Sequence, residues 1–131
     1  MKRKGHYAAF DLAYQGFASG DIDNDAYSLR LFANETDRMF LAQSFSKNFG
    51  MYGERAGCLS IVTDSEQEAE KVLTRVKSVA MPMYSCPPIY GARIVDKVLS
   101  DDVLTASWKR DLIKMSSRIR DMREQLVDNL S

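Results

Sequence analysis

Lys47 stands in the stretch Ser44-Phe45-Ser46-Lys47-Asn48-Phe49-Gly50-Met51-Tyr52-Gly53-Glu54-Arg55-Ala56-Gly57, among small, hydroxyl-bearing and glycine residues. A lysine is a nucleophile only as the neutral amine, which is scarce at neutral pH for a group that ordinarily titrates near ~10.4, so neighbours or burial must favour that form. Arg55, a permanent cation, carries a planar fork that suits phosphate, and Ser44 and Ser46 add hydroxyl donors. Gly50, Gly53 and Gly57 allow tight turns or close approach of backbone to a ligand. An amine, a phosphate clamp and flexible turns meet the needs of a pyridoxal phosphate site. The same triplet also fits an ordinary loop with solvated charges, and the order of glycines and lysine is not that of a phosphate-binding P-loop.

Positioning the lysine requires strands on both sides of it. Arg38 to Ser46 reads as the strand that delivers Lys47, and Gly57 to Thr63 as the strand that follows the loop. Upstream, Tyr7 to Tyr14 has the length of a buried strand, interrupted by Asp11. A carboxylate there needs a cation, good donors or a half-exposed edge, and periodicity alone does not choose among them. Gln15 to Asp25 reads as a loop, with Asp23 or Asn24 capping a helix through about Glu35 that buries Ala26, Leu29, Phe32 and Ala33. Strand, helix, strand implies an α/β sheet with a crossover connection.

A second helix starts at Asp64 or Ser65 and carries Ala69, Val72, Leu73, Val76 and Val79 on one side; Pro82 is expected to end that segment. Pro87-Pro88 introduces a helix through about Leu99, and Ser100 to Asp102 caps the last one. From Leu104 to Leu130 the residues Trp108, Leu112, Met115, Ile119, Met122, Leu126 and Leu130 recur at helical spacing, which predicts a long amphipathic helix with a packing stripe.

A chain of 131 residues suffices for one domain with a core. Lys+Arg 18 against Asp+Glu 18 gives no net charge, so composition implies no nucleic-acid or acidic-membrane partner. No apolar run approaches a membrane span and the first residues lack a signal-peptide core, so the chain is expected not to be secreted. Cys58 and Cys86 are too few and too scattered for a disulfide framework, and with the single His6 they offer no metal site.

The loop sequence resembles the cofactor-lysine segment of the aspartate aminotransferases, class I enzymes of pyridoxal phosphate fold type I. Phe10-Asp11-Leu12-Ala13-Tyr14-Gln15-Gly16-Phe17-Ala18-Ser19-Gly20-Asp21 is similar to the pyridine-binding segment of that family. Pro82-Met83-Tyr84-Ser85, Pro87-Pro88 and Gly91-Ala92-Arg93 continue the match in order, so the resemblance covers nearly the whole chain. It implies part of the large-domain sheet of about three strands with flanking helices. Residues 1–103 would be a partial cofactor-binding domain, and 104–131 the long helix leading towards a smaller domain.

By the same resemblance Lys47 carries pyridoxal 5'-phosphate as a Schiff base and moves the substrate proton. Asp11 pairs with the ring nitrogen, Tyr14 with the ring hydroxyl oxygen, and Ser44, Ser46 and Arg55 hold the phosphate. The implied reaction passes an amino group between aspartate or glutamate and 2-oxo acids, in a homodimer of the cytoplasm or mitochondrial matrix. Two positions depart from the family's pattern. Met81 stands where it has an arginine for the substrate's side-chain carboxylate, and Cys86 replaces an asparagine. The family's chains are also much longer, which sets a truncated, catalytically incompetent remnant that associates with full-length subunits beside the enzyme as an expectation.

Overall fold

The computed structural model describes residues 2–36 and 38–130. Three strands form one sheet: β1 (Ala8–Leu12), β2 (Met39–Ser44) and β3 (Gly57–Val62), in the order β1-β2-β3. β1 and β2 run parallel with Ala8 opposite Met39 and Asp11 opposite Ala42, whereas β2 and β3 are antiparallel, with Ser44 opposite Gly57. The parallel pair needs a crossover, supplied by the helices α1 (Ile22–Asp25) and α2 (Tyr27–Glu35). The antiparallel pair is joined directly by the lysine loop.

Pleating separates the two faces. Ala8, Met39 and Leu41 are buried on one side of the sheet, where Phe10 meets Phe32 of α2 edge to face at 5.2 Å. On the other side Leu59 and Ile61 of β3 meet Ala69, Val72, Leu73 and Val76 of the helix α3 (Glu66–Tyr84), around a space of about 170 Å³. Asp11 lies on this second face and is exposed. Arg38 ties the start of β2 to α3 through Asp64 and Glu68.

The helices α4 (Tyr90–Leu99) and α5 (Asp102–Leu130) complete the chain. Asp101 caps α5, accepting from the Val103 and Leu104 N–H groups at 3.0 and 3.1 Å. Gly91 lets α4 approach the lysine loop, since a Cβ there would stand 2.8 Å from the Glu54 side chain.

Several expected boundaries are corrected. The first cap is Asp21, whose carboxylate accepts from the Asp23 and Asn24 N–H groups, so α1 starts before the expected caps and within the segment read as loop. The helical stretch breaks at Ala26, which is buried, whereas Ala33 is exposed. Ser65 caps α3 through the Glu68 N–H. The helix then runs past Val79 and through Pro82 to Tyr84. Proline keeps a helical φ and here removes one hydrogen bond in the exposed last turn; the stop is Ser85, at φ 58°. Of the α5 stripe, Leu112 is buried and Trp108 half-buried, while Met115, Ile119, Met122, Leu126 and Leu130 remain exposed.

Candidate active site

At the end of β2 the chain closes into a short turn. The Phe49 N–H donates to the Phe45 carbonyl at 3.3 Å and the Gly50 N–H to the Lys47 carbonyl at 3.0 Å, with Gly50 at φ 65°. The Phe45 N–H donates to the Ala56 carbonyl at 3.1 Å, which closes the loop at its base. Lys47 is half-buried on this turn, and its Nζ lies 5.2 Å from the centre of the Tyr14 ring, within range of a cation–π interaction.

The two partners of that contact line different clefts. One, of about 520 Å³, is lined by Asp11, Leu12, Ala13, Tyr14, Gln15, Ala18 and Asp25. The other, of about 590 Å³, is lined by Lys47 with Phe17, Gly50 and Tyr52 from the loops and by the exposed stripe of α5 with Arg118 and Arg123. Asp11 and Tyr14 therefore share one cleft, and Tyr14 joins it to the lysine.

The hydroxyl and guanidinium groups form a second cluster. The Ser46 N–H donates to the Ser44 Oγ at 3.2 Å, and Arg55 Nη1 donates to the Ser46 Oγ at 3.4 Å and to the Tyr52 carbonyl at 3.2 Å. Ser46 is buried, whereas Arg55 is exposed at φ 51°. Among the described residues no hydrogen bond or ion pair links this cluster to Asp11; Lys47, next to Ser46 in sequence, reaches the Tyr14 ring of the Asp11 cleft. The donor chemistry fits a phosphate-bearing carbonyl compound. Nη1 alone of the Arg55 fork makes hydrogen bonds among the described residues, which leaves the other donors for an oxyanion, and the amine stands beside an open cleft.

Sequence reasoning missed the groups that hold this arrangement. Asp25 gathers the loop after Tyr14: its carboxylate accepts from the N–H groups of Gly16, Ala18 and Ser19 at 2.6, 3.1 and 3.1 Å and from the Ser19 hydroxyl at 2.6 Å. Asn48 donates from Nδ2 to the Gln15 carbonyl at 3.5 Å, while its buried Oδ1 has no hydrogen-bond partner among the described residues. Trp108 donates from Nε1 to the Asn48 carbonyl at 2.7 Å. The spacing of polar residues in a Gly- and Ser-rich loop marks a turn but not which carboxylate closes it.

Burial pushes the Asp25 carboxyl up, but donation from the Ser19 hydroxyl and the Ala18, Gly16 and Ser19 amides outweighs it and holds the group below its ordinary value. A carboxylate lowered by folding adds stability above its unfolded pKa, and loses it as pH falls through the folded value. Asp25→Asn sets an amide against backbone donors and is expected to lower stability at neutral pH by about 1–3 kcal/mol. The gap to the parent should narrow below pH ~4, the unfolded carboxylate range. Urea unfolding of both chains across that range checks the narrowing; a gap independent of pH would assign the loss to packing.

The family profile described as Aminotransferase class I and II matches residues 1–131. A cytoplasmic aspartate aminotransferase of Dictyostelium discoideum is 53% identical over 130 residues, which span 99% of this chain and 30% of that relative. The chain belongs to the class I and II aminotransferases. In space it is similar to a mitochondrial aspartate aminotransferase of Trypanosoma brucei, with a TM-score of 0.95 at 46% identity over 98% of this chain and 34% of that one. An aromatic-amino-acid aminotransferase of Burkholderia pseudomallei, covalently bound to pyridoxal phosphate, aligns with a TM-score of 0.89 at 48% identity, over 93% of this chain and 30% of that one. The chain thus spans about 30% of the length of the relatives it matches. Its sheet and helices are those of the aminotransferase fold. Within that fold Met81 occupies the exposed last turn of α3. Among the described residues no helix is long and apolar enough to cross a membrane.

Proposed function

We propose that this chain is the lysine-bearing part of an aspartate aminotransferase-type enzyme, which transfers an amino group between aspartate or glutamate and 2-oxo acids. The observation that carries the reading is the Lys47 amine, which lines one cleft and lies 5.2 Å from the ring of Tyr14, which lines another together with Asp11. Pyridoxal 5'-phosphate, when bound, supplies an electron-withdrawing ring that stabilises negative charge at the substrate α-carbon. Lys47 is the covalent anchor and, once released, the base that moves the proton at that carbon. Asp11 receives the ring nitrogen and Tyr14 the ring hydroxyl oxygen. Ser44, Ser46 and Arg55 hold the phosphate, with Arg55 supplying the charge.

Met81 offers no charge to a side-chain carboxylate, so dicarboxylate recognition falls to other residues. The reading also takes residues 104–131 as the link to a smaller domain, the working form as a homodimer, and the compartment as cytoplasm or mitochondrial matrix. Relatives named aspartate aminotransferase along nearly all of this chain favour it over an inert remnant.

Incubation with pyridoxal phosphate, borohydride reduction and peptide mapping test it. The pyridoxyl group is expected on Lys47 in preference to the seven other lysines, and Lys47→Ala should remove the preferred adduct. Equal labelling of the surface lysines, with none favoured at Lys47, would overturn the reading.

A further inference from the structure

The turn that carries Lys47 is held from outside by the chain's single tryptophan. Trp108, in the second turn of α5, donates from Nε1 to the Asn48 carbonyl at 2.7 Å. Its indole also stacks on the Phe49 ring, with centroids 4.6 Å apart and planes 17° from parallel. The two residues after Lys47 are thereby fastened to a helix sixty positions downstream. Asn48, buried at 5% exposure, reaches in the other direction to the carbonyl of Gln15, the residue after Tyr14. Lys47 is thus clamped on its C-terminal side between the helix and the loop that presents the ring facing its Nζ.

A turn this short has little internal stability, because few of its backbone groups are paired within it. External fastening therefore decides its orientation. We propose that Trp108 is a positioning residue for Lys47, and that its N–H, more than its bulk, sets the angle at which the lysine leaves the turn towards Tyr14. Without that donor the Asn48 carbonyl loses its partner in a half-buried site, and the peptide after Asn48 rotates to find water. The amine then swings away from the Tyr14 ring. For its bearing on catalysis this rests on the proposed aminotransferase reading; as a statement about geometry it does not. Reactions at a bound carbonyl need placement within a fraction of an ångström, so a small rotation carries a large cost.

Because the chain has one tryptophan, growth of an auxotrophic host on β-(3-benzothienyl)alanine replaces that residue alone. The analogue keeps the bicyclic shape and the stacking surface but has no N–H. Two readouts are taken on chains whose circular dichroism matches that of the parent. The first is the rate of reductive methylation of Lys47 with formaldehyde and cyanoborohydride, relative to the exposed Lys71 and Lys77 on α3, followed as a function of pH. The second is the share of the borohydride-trapped pyridoxyl group on Lys47.

The relative methylation rate is expected to rise about threefold as the freed amine becomes more accessible. The Lys47 share of the pyridoxyl adduct should fall about tenfold, because accessibility without orientation does not favour the cofactor. Phe49→Leu, which removes the stacked ring and keeps the donor, should leave both readouts near the parent values. Unchanged readouts in the folded analogue chain would overturn the proposal. If that chain does not fold, Phe49→Leu decides: displacement of both readouts in it would place the control in packing and overturn the proposal too. A parent chain with no pyridoxyl preference for Lys47, but with the methylation response intact, would remove the cofactor reading and leave the positioning role standing.

Discussion

Gly16→Ala is expected to destabilise the chain by about 2–6 kcal/mol, from left-handed backbone strain of about 1–3 and overpacking of similar size. Gly16 is buried at φ 93°, and a Cβ built there would overlap the Leu112 side chain of α5. The residue cannot shift freely, because its N–H donates to the Asp25 carboxylate at 2.6 Å. Leu112, at 1% exposure, is the large side chain on which the Tyr14 loop and α5 meet, so Leu112→Ala should cost about 2–5 kcal/mol by itself. The two losses are not independent. Truncating Leu112 opens the space that an alanine at 16 would fill, and the double variant should be more stable than the sum predicts by about 1–3 kcal/mol. Urea unfolding of the four chains measures that coupling; strict additivity would mean that backbone strain alone makes glycine necessary at this position.

Residues 45–56 were legible as a loop, from glycines and hydroxyls set between two apolar runs, but their own chemistry left a cofactor site and an ordinary solvated loop both open. The strands on either side were also legible: both are six-residue segments built on short apolar runs, and β3 adds the β-branched Ile61 and Val62. What periodicity did not contain is the identity of the partner surface. The α5 stripe reads as uniform, yet Leu112 and Ser116 are buried and Met115 and Ile119 are not, because the loop after Tyr14 covers only two turns of the helix. Pro82 misled because a missing N–H and a ring set against the carbonyl four residues back weaken or kink a helix without always ending it, and here the helix runs on to Tyr84. Asp25 and Trp108 were invisible as functional residues. Each acts mainly through backbone groups, six to nine residues away for Asp25 and sixty for Trp108, and a side chain that binds backbone leaves no residue pattern at the position it binds.

Removal of the Arg55 side chain is expected to weaken pyridoxal phosphate labelling of Lys47 by about 10- to 100-fold in apparent affinity, the equivalent of a charge-assisted hydrogen-bond pair worth about 1.5–3 kcal/mol. Arg55 is exposed and its Nη1 rests on the Ser46 hydroxyl and the Tyr52 carbonyl, so truncation should leave the fold intact while taking the only permanent cation from the Ser44 and Ser46 cluster. Charge and geometry can be separated. Arg55→Lys keeps the cation but not the planar fork that both rests on Ser46 and presents further donors, so it should recover only part of the lost affinity. Arg55 also adopts φ 51°, which alanine and lysine share at similar cost, so the comparison between those two variants is free of a backbone difference. Labelling is followed by titration with borohydride trapping at fixed ionic strength, beside pyridoxal, which has the aldehyde but no phosphate. If Arg55 holds the phosphate, the variants lose affinity for pyridoxal phosphate and react with pyridoxal as the parent does. Equal losses for the two aldehydes would instead assign Arg55 to shaping the lysine loop, and the phosphate would have to be held by other groups.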